Sequence, residues 1–98
     1  MVSSQQAVKL KVSAETAQLI RHAHPLLKRR IKAALSSIVD EPSSGKALTE
    51  ELSGLRSFRV GQIRIIYAIA SKSVIEIVTI GPRRTVYEET YRIISRES

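Results

Sequence analysis

The 98-residue sequence contains no cysteine, which excludes disulfide cross-links, a thiolate nucleophile and sulfur-ligated zinc. It also lacks long apolar runs: none approaches the ~18 residues that cross a bilayer. Met1 to Gln6 carry neither the charged nor the apolar region of a signal peptide, so a cytoplasmic protein with no membrane partner is expected. Acidic residues are scarce, nine Asp plus Glu against sixteen Lys plus Arg, a formal charge of +7. Such an excess suits a polyanionic partner, whether nucleic acid, a membrane surface or an acidic protein. Between Arg56 and Arg84 the basic residues Arg59, Arg64, Lys72 and Arg83 meet only Glu76, and this placement favours a nucleic-acid face. Repeats and low-complexity segments are absent. At 43% apolar, residues 1–98 make one domain with one modest core.

The segment AVKLKV, residues 7–12, alternates Val8, Leu10 and Val12 with Lys9 and Lys11, the period of a strand with one buried face. Ser13 is a good N-cap and Glu15 suits the first turn of a helix running to His22 or Ala23. Pro25 breaks that helix and starts another, whose Leu27, Ile31, Ala34, Leu35 and Ile38 form one apolar stripe ending before DEPSSG at 40–45. Lys46 to Arg56 reads as a docked connector with a short turn. Strands are expected at 56–60, 62–70 and 74–80, rich in Ile and Val and joined by short hairpins. After Gly81-Pro82, Thr85 and Glu88 have capping-box spacing for a last helix over 86–96. The order predicts an α+β sandwich with helices covering one face of a mainly antiparallel sheet.

A hairpin closed at Gly61-Gln62 pairs Val60 with Ile63, Arg59 with Arg64 and Phe58 with Ile65. Side-chain alternation then turns Phe58, Val60, Ile63 and Ile65 toward the helices and leaves Arg59 and Arg64 together on the other side. Facing like charges destabilise a sheet by ~0.2–1 kcal/mol; water and a nearby Glu are one compensation, and for a facing pair an anion that both guanidinium groups can grip is the favoured one. The segment IGPRRTVYEE, residues 80–89, adds Arg83 and Arg84 in a turn entering a helix, with Tyr87 in the first turn. A helix N-terminus itself attracts phosphate. Gly81, Pro82, Thr85 and Glu88 are equally explained by a turn and a cap, and Tyr87 by a core aromatic.

The order LSGLRSFRVGQIRIIYAI, then IEIVTIGPRRTVYEE, resembles the RelE/ParE superfamily of toxins from type II toxin–antitoxin modules. It is closer to the RelE-type mRNA interferases. Two blocks carry the resemblance, Arg59 to Tyr67 and Ile80 to Tyr87, and the preceding strand and helices extend it over nearly the whole chain. It implies a RelE-like small sandwich: an N-terminal strand, a two-helix hairpin, a three-stranded antiparallel meander and a short C-terminal helix. It also implies a metal-free, cofactor-free endoribonuclease that cuts mRNA in the ribosomal A site by attack of a 2′-hydroxyl on the adjacent phosphate. The implied partners are the ribosome, mRNA and a cognate acidic antitoxin that forms a hetero-oligomer with the toxin.

By position, the resemblance makes Arg64 a contact of the scissile phosphate, Arg83 the leaving-group donor or charge stabiliser, and Tyr87 the helix tyrosine. Arg59 falls where relatives carry a basic residue; Arg84, Arg56 and Lys46 complete the expected phosphate-binding set. Ser57 stands where well-studied members have a lysine, which leaves the general base open, with Tyr87 preferred because arginine stays protonated. Two other readings remain: a ParE-like gyrase inhibitor without nuclease activity, and a degenerate module that only binds RNA. His22 and His24 lie two apart on a helix end with no acidic cluster nearby and read as surface or structural. Lys28, Arg29, Arg30 and Lys32 read as a solvated helix face, open to ribosomal RNA or an antitoxin. Tyr67 shares parity with Ile63 and Ile65 and reads as core.

Overall fold

The structure, a computed structural model, describes residues 8–97. The expectations for Met1 to Gln6, and for Ala7 as the start of a strand, lie outside the described residues. Strand β1 (Lys9–Val12) leads into α1 (Ala14–Arg21) and α2 (Pro25–Asp40). A 3₁₀ turn at Pro42–Ser44 then reaches a short strand β2 (Lys46–Ala47), and a second at Glu50–Leu52 precedes the meander. The meander is β3 (Leu55–Val60), β4 (Ile63–Ser71) and β5 (Val74–Pro82), followed by α3 (Arg83–Glu97). The sheet order is β1-β5-β4-β3-β2. β1 runs parallel to β5, and the other pairs are antiparallel.

Local chemistry accounts for the helix pair. Ser13 Oγ accepts from the Thr16 amide at 3.1 Å, closing the first turn of α1. Pro25 occupies the first turn of α2, where a missing N–H is harmless, while the His24 imidazole accepts from the Leu26 amide at 3.2 Å. The stripe of α2 buries Ile31, Ala34 and Ile38 against Val60, Ile65, Ile75, Ile77 and Ile80, with Leu27, Leu35, Phe58 and Ile63 packed around them. Each fully buried aliphatic side chain contributes roughly 1.5–3 kcal/mol. Tyr67 is core as expected: its hydroxyl donates to Pro42 O at 2.6 Å and accepts from the buried Gly45 amide at 2.9 Å.

The helices do not all lie on one face of the sheet. Ile65, Ile66 and Tyr67 are consecutive on β4 and each has 0% exposure, so both faces are covered there. A side chain on Gly81 would meet Val86 of α3 at 3.7 Å, and Gly81 is the partner of Arg64. Hence α3 packs on the arginine face, over Ile66, opposite the α1–α2 pair. It also begins earlier than the capping-box spacing predicts. The first amide of α3, that of Arg83, donates to Gln62 O at 3.3 Å, so the hairpin turn supplies the cap and Thr85 falls inside the first turn. The Lys46–Arg56 segment, expected as a connector, contributes the edge strand β2. A bulge at Val78 shifts the β4–β5 register between Ile66 and Tyr67 and brings Ile77 and Ile80, three apart, into one core.

Candidate functional site

The expected hairpin register is present: Val60 pairs with Ile63, Arg59 with Arg64 and Phe58 with Ile65. Gly61 takes φ +61°, the left-handed region that a turn of two residues requires and a side chain resists. On the far side of Arg64 stands Gly81, against which Val86 of α3 packs. Arg59, Gly61, Gln62, Arg64, Pro82, Arg83 and Arg84 line a cleft of about 290 Å³. Two of these arginines come from the hairpin and two from the start of α3, where the helix dipole adds positive potential.

The cleft is not neutralised from within the chain. Arg59 Nε donates to Gly61 O at 3.1 Å, which fixes that side chain along the turn. Among the described residues the one ion pair joins Arg92 Nη1 to Glu89 Oε1 at 2.7 Å, away from these arginines. Four cations therefore face one small volume without a carboxylate. Such a site favours an anion with several acceptor oxygens, because a guanidinium fork matches phosphate geometry.

Tyr87 lies one helical turn beyond Arg83, so the two share a side of α3. Its hydroxyl donates to Ser57 Oγ at 3.3 Å, and Ser57, 3% exposed, lies on the Arg59 face of β3. Lys46 on β2 is the register partner of Ser57. Opposed residues in an antiparallel pair point to the same side, so Lys46 is carried next to the Ser57–Tyr87 pair. The sequence could not show this, because β2 is two residues long and has no periodic pattern.

Arg56 does not join the site. It alternates with Ser57 and turns to the opposite face, where its Nη2 donates to Ser43 O at 3.3 Å and its Nε is buried without a partner. His22 Nε2 pairs with Gln18 Oε1 at 3.0 Å and His24 caps α2, both outside the cleft. Among the described residues no three His, Asp or Glu side chains come together in a way that could hold a metal ion. A larger groove of about 640 Å³ runs between α1, β5 and α3. Its Leu19, Val78, Ile93 and Ile94 are mixed with Lys11, Glu15, Glu76, Glu89 and Arg96, so it gathers charge of neither sign.

Among solved structures, the fold is similar to the RelBE2 toxin–antitoxin complex from Mycobacterium tuberculosis, at 22% identity and TM-score 0.67, covering 79% of this chain and 99% of that one. It is also similar to a free-state double mutant of the E. coli toxin RelE, at 15% identity and TM-score 0.71, covering 92% and 97%. The archaeal RelE–RelB complex from Pyrococcus horikoshii OT3 matches at 21% identity and TM-score 0.62, covering 79% and 96%. At these identities the likeness establishes a RelE-like fold. No curated protein matches the chain in sequence. No helix among the described residues is long and apolar enough to cross a membrane. The family model for the ParE toxin of type II toxin–antitoxin systems, parDE, matches residues 7–87, so with its RelE-like fold the chain belongs to the ParE toxin family of type II toxin–antitoxin systems.

Proposed function

We propose that this toxin is a ribosome-dependent endoribonuclease that cuts mRNA in the A site without a metal, and that a cognate acidic antitoxin covers its basic face. The observation that carries the reading is the unneutralised cleft of Arg59, Arg64, Arg83 and Arg84; Tyr87 does not line it, but its hydroxyl is held by Ser57 on the Arg59 face of β3. In the reaction, a ribose 2′-oxygen forms a bond to its own 3′ phosphorus and the bond to the 5′ oxygen breaks, leaving a 2′,3′-cyclic phosphate and a 5′-hydroxyl. Arg64 and Arg59 hold the phosphate and offset the charge of the phosphorane, Arg83 serves the departing oxygen, and Arg84 and Lys46 hold flanking phosphates. Tyr87 is the group assigned to take the 2′ proton, acting as its phenolate and ending as the phenol, while the departing 5′ oxygen takes up a proton from solvent.

The test maps mRNA ends on translating ribosomes for the native chain and for Arg64→Ala with Arg83→Ala. Cleavage by the native chain that vanishes in the double variant supports the site; cleavage that persists removes it. The match to the ParE family model favours a second reading, inhibition of DNA gyrase without nuclease activity. Accumulation of DNA cleavage complexes with intact mRNA would establish that reading instead.

A further inference from the structure

A fifth arginine approaches the turn at the rim of the cleft from the opposite side of the sheet. Arg30 is on α2, which packs on the core face, yet its Nη1 is 3.9 Å from the point where a Cβ on Gly61 would stand. Gly61 also borders the cleft of Arg59 and Arg64. The hairpin turn is thus a low rim with arginine on both sides, and its lack of a side chain lets a ligand backbone pass over it. Arg30 is exposed and has no carboxylate partner among the described residues.

We infer that a single-stranded nucleic acid held in the cleft continues over the Gly61-Gln62 turn and is gripped again by Arg30, so that α2 supplies the next phosphate contact. The inference rests on the nucleic-acid reading of the cleft. A phosphodiester backbone fits better than an acidic protein segment, because protein partners anchor on a buried apolar or aromatic centre. Here the rim offers Gly61 and Gln62, and among the described residues Pro82 is the sole apolar side chain lining the cleft. The neighbouring Arg29 has no such placement and provides the control for charge alone.

The experiment measures fluorescence anisotropy of labelled 2′-O-methyl oligoribonucleotides, which cannot be cut, of about three and about nine nucleotides over a salt series. Arg30→Gln is expected to leave the short oligonucleotide unaffected. It should weaken the long one several-fold and lower its logarithmic salt slope by about 0.7, the value of one single-strand phosphate contact. Arg64→Gln should weaken both lengths, and Arg29→Gln should reproduce neither the length dependence nor the change in slope. A long-oligonucleotide slope that Arg30→Gln does not change, with Arg64→Gln still weakening both, overturns the extended path and leaves the cleft standing. Failure of the native chain to bind either length overturns the path and the nucleic-acid reading together. Thermal melting keeps loss of fold distinct from loss of contact.

Discussion

Lys46 and Ser57 stand directly opposite each other on β2 and β3, and the Ser57 hydroxyl accepts a hydrogen bond from Tyr87 at 3.3 Å. A strand position where the family resemblance leads one to expect a lysine thus holds a serine, and the adjacent strand places a lysine beside it. The charge is displaced by one strand spacing, about 4.8 Å. The face on which α3 lies then carries, in order along the sheet, Lys46, the Ser57–Tyr87 pair, and the facing Arg59 and Arg64.

If that displaced amine serves the site, moving it back should be tolerated. We expect Lys46→Ala to reduce single-turnover mRNA cleavage about tenfold or more, the scale of one lost charged contact of ~1.4 kcal/mol or more. The exchange Lys46→Ser with Ser57→Lys should recover most of the loss, whereas Ser57→Ala alone should cost little. An exchange variant as slow as Lys46→Ala, with its melting temperature intact, would show that Lys46 does not act through this position.

The facing arginines predict opposite signs for stability and binding. Arg64→Gln removes a like-charge pair, and we expect the fold to gain ~0.2–1 kcal/mol. For a domain of this size that is a rise of a few degrees in Tm. The same variant should lose affinity for RNA and for inorganic phosphate. Calorimetry and phosphate titration on one sample check both, and a variant that is less stable and binds as well as the native chain would contradict the pair's role as a preformed anion site.

The hairpin, the helix pair and the core were legible because each rests on a local rule: a glycine at the turn, a proline at the helix start, apolar residues at period two or about four. Those rules place Arg59 and Arg64 on a shared face and Tyr67 in the core, as observed. Arg56 shares the charge of that stretch but not the parity of Arg59, so the strand turns it to the other face, where it bonds Ser43 O. The location of α3 was not legible. Val86 and Thr90 are its buried anchors, too few to mark which face the helix covers. Both the capture of the Arg83 amide by Gln62 O and the Lys46–Ser57 register arise from tertiary placement, which no short window of sequence contains.

Tyr91 ties α3 to the rest of the fold, its hydroxyl donating to Glu51 Oε1 at 3.4 Å. Desolvation, and then the Glu51 carboxylate, push this hydroxyl above its ordinary 10.0. A raised value means that the folded state favours the protonated phenol. The contact is therefore fully present below pH 10 and is lost as pH climbs through the folded value, so it adds no pH dependence near neutrality. Ultraviolet titration of the native chain against Tyr91→Phe should isolate this ionisation, and Glu51→Gln should lower its midpoint. An unmoved midpoint would remove Glu51 as a cause.

Tyr67 decides where Lys46 sits, although it lies in the core and does not line the cleft. Its hydroxyl receives the Gly45 amide and donates to Pro42 O, fastening the chain just before β2 to the core. Tyr67→Phe leaves the buried Gly45 N–H without its acceptor, at a cost of ~1–3 kcal/mol. Gly45→Ala should be worse, since its Cβ would lie 2.6 Å from Tyr67 Oη and 2.8 Å from Cε1. Because the ring carbon is struck as well as the oxygen, Tyr67→Phe should not rescue Gly45→Ala. Hydrogen exchange at Lys46 and Ala47 should accelerate in both variants while exchange in β4 and β5 changes less. If β2 exchange matched the native chain in a destabilised Tyr67→Phe, the hydroxyl would be stabilising the core without holding Lys46 in register.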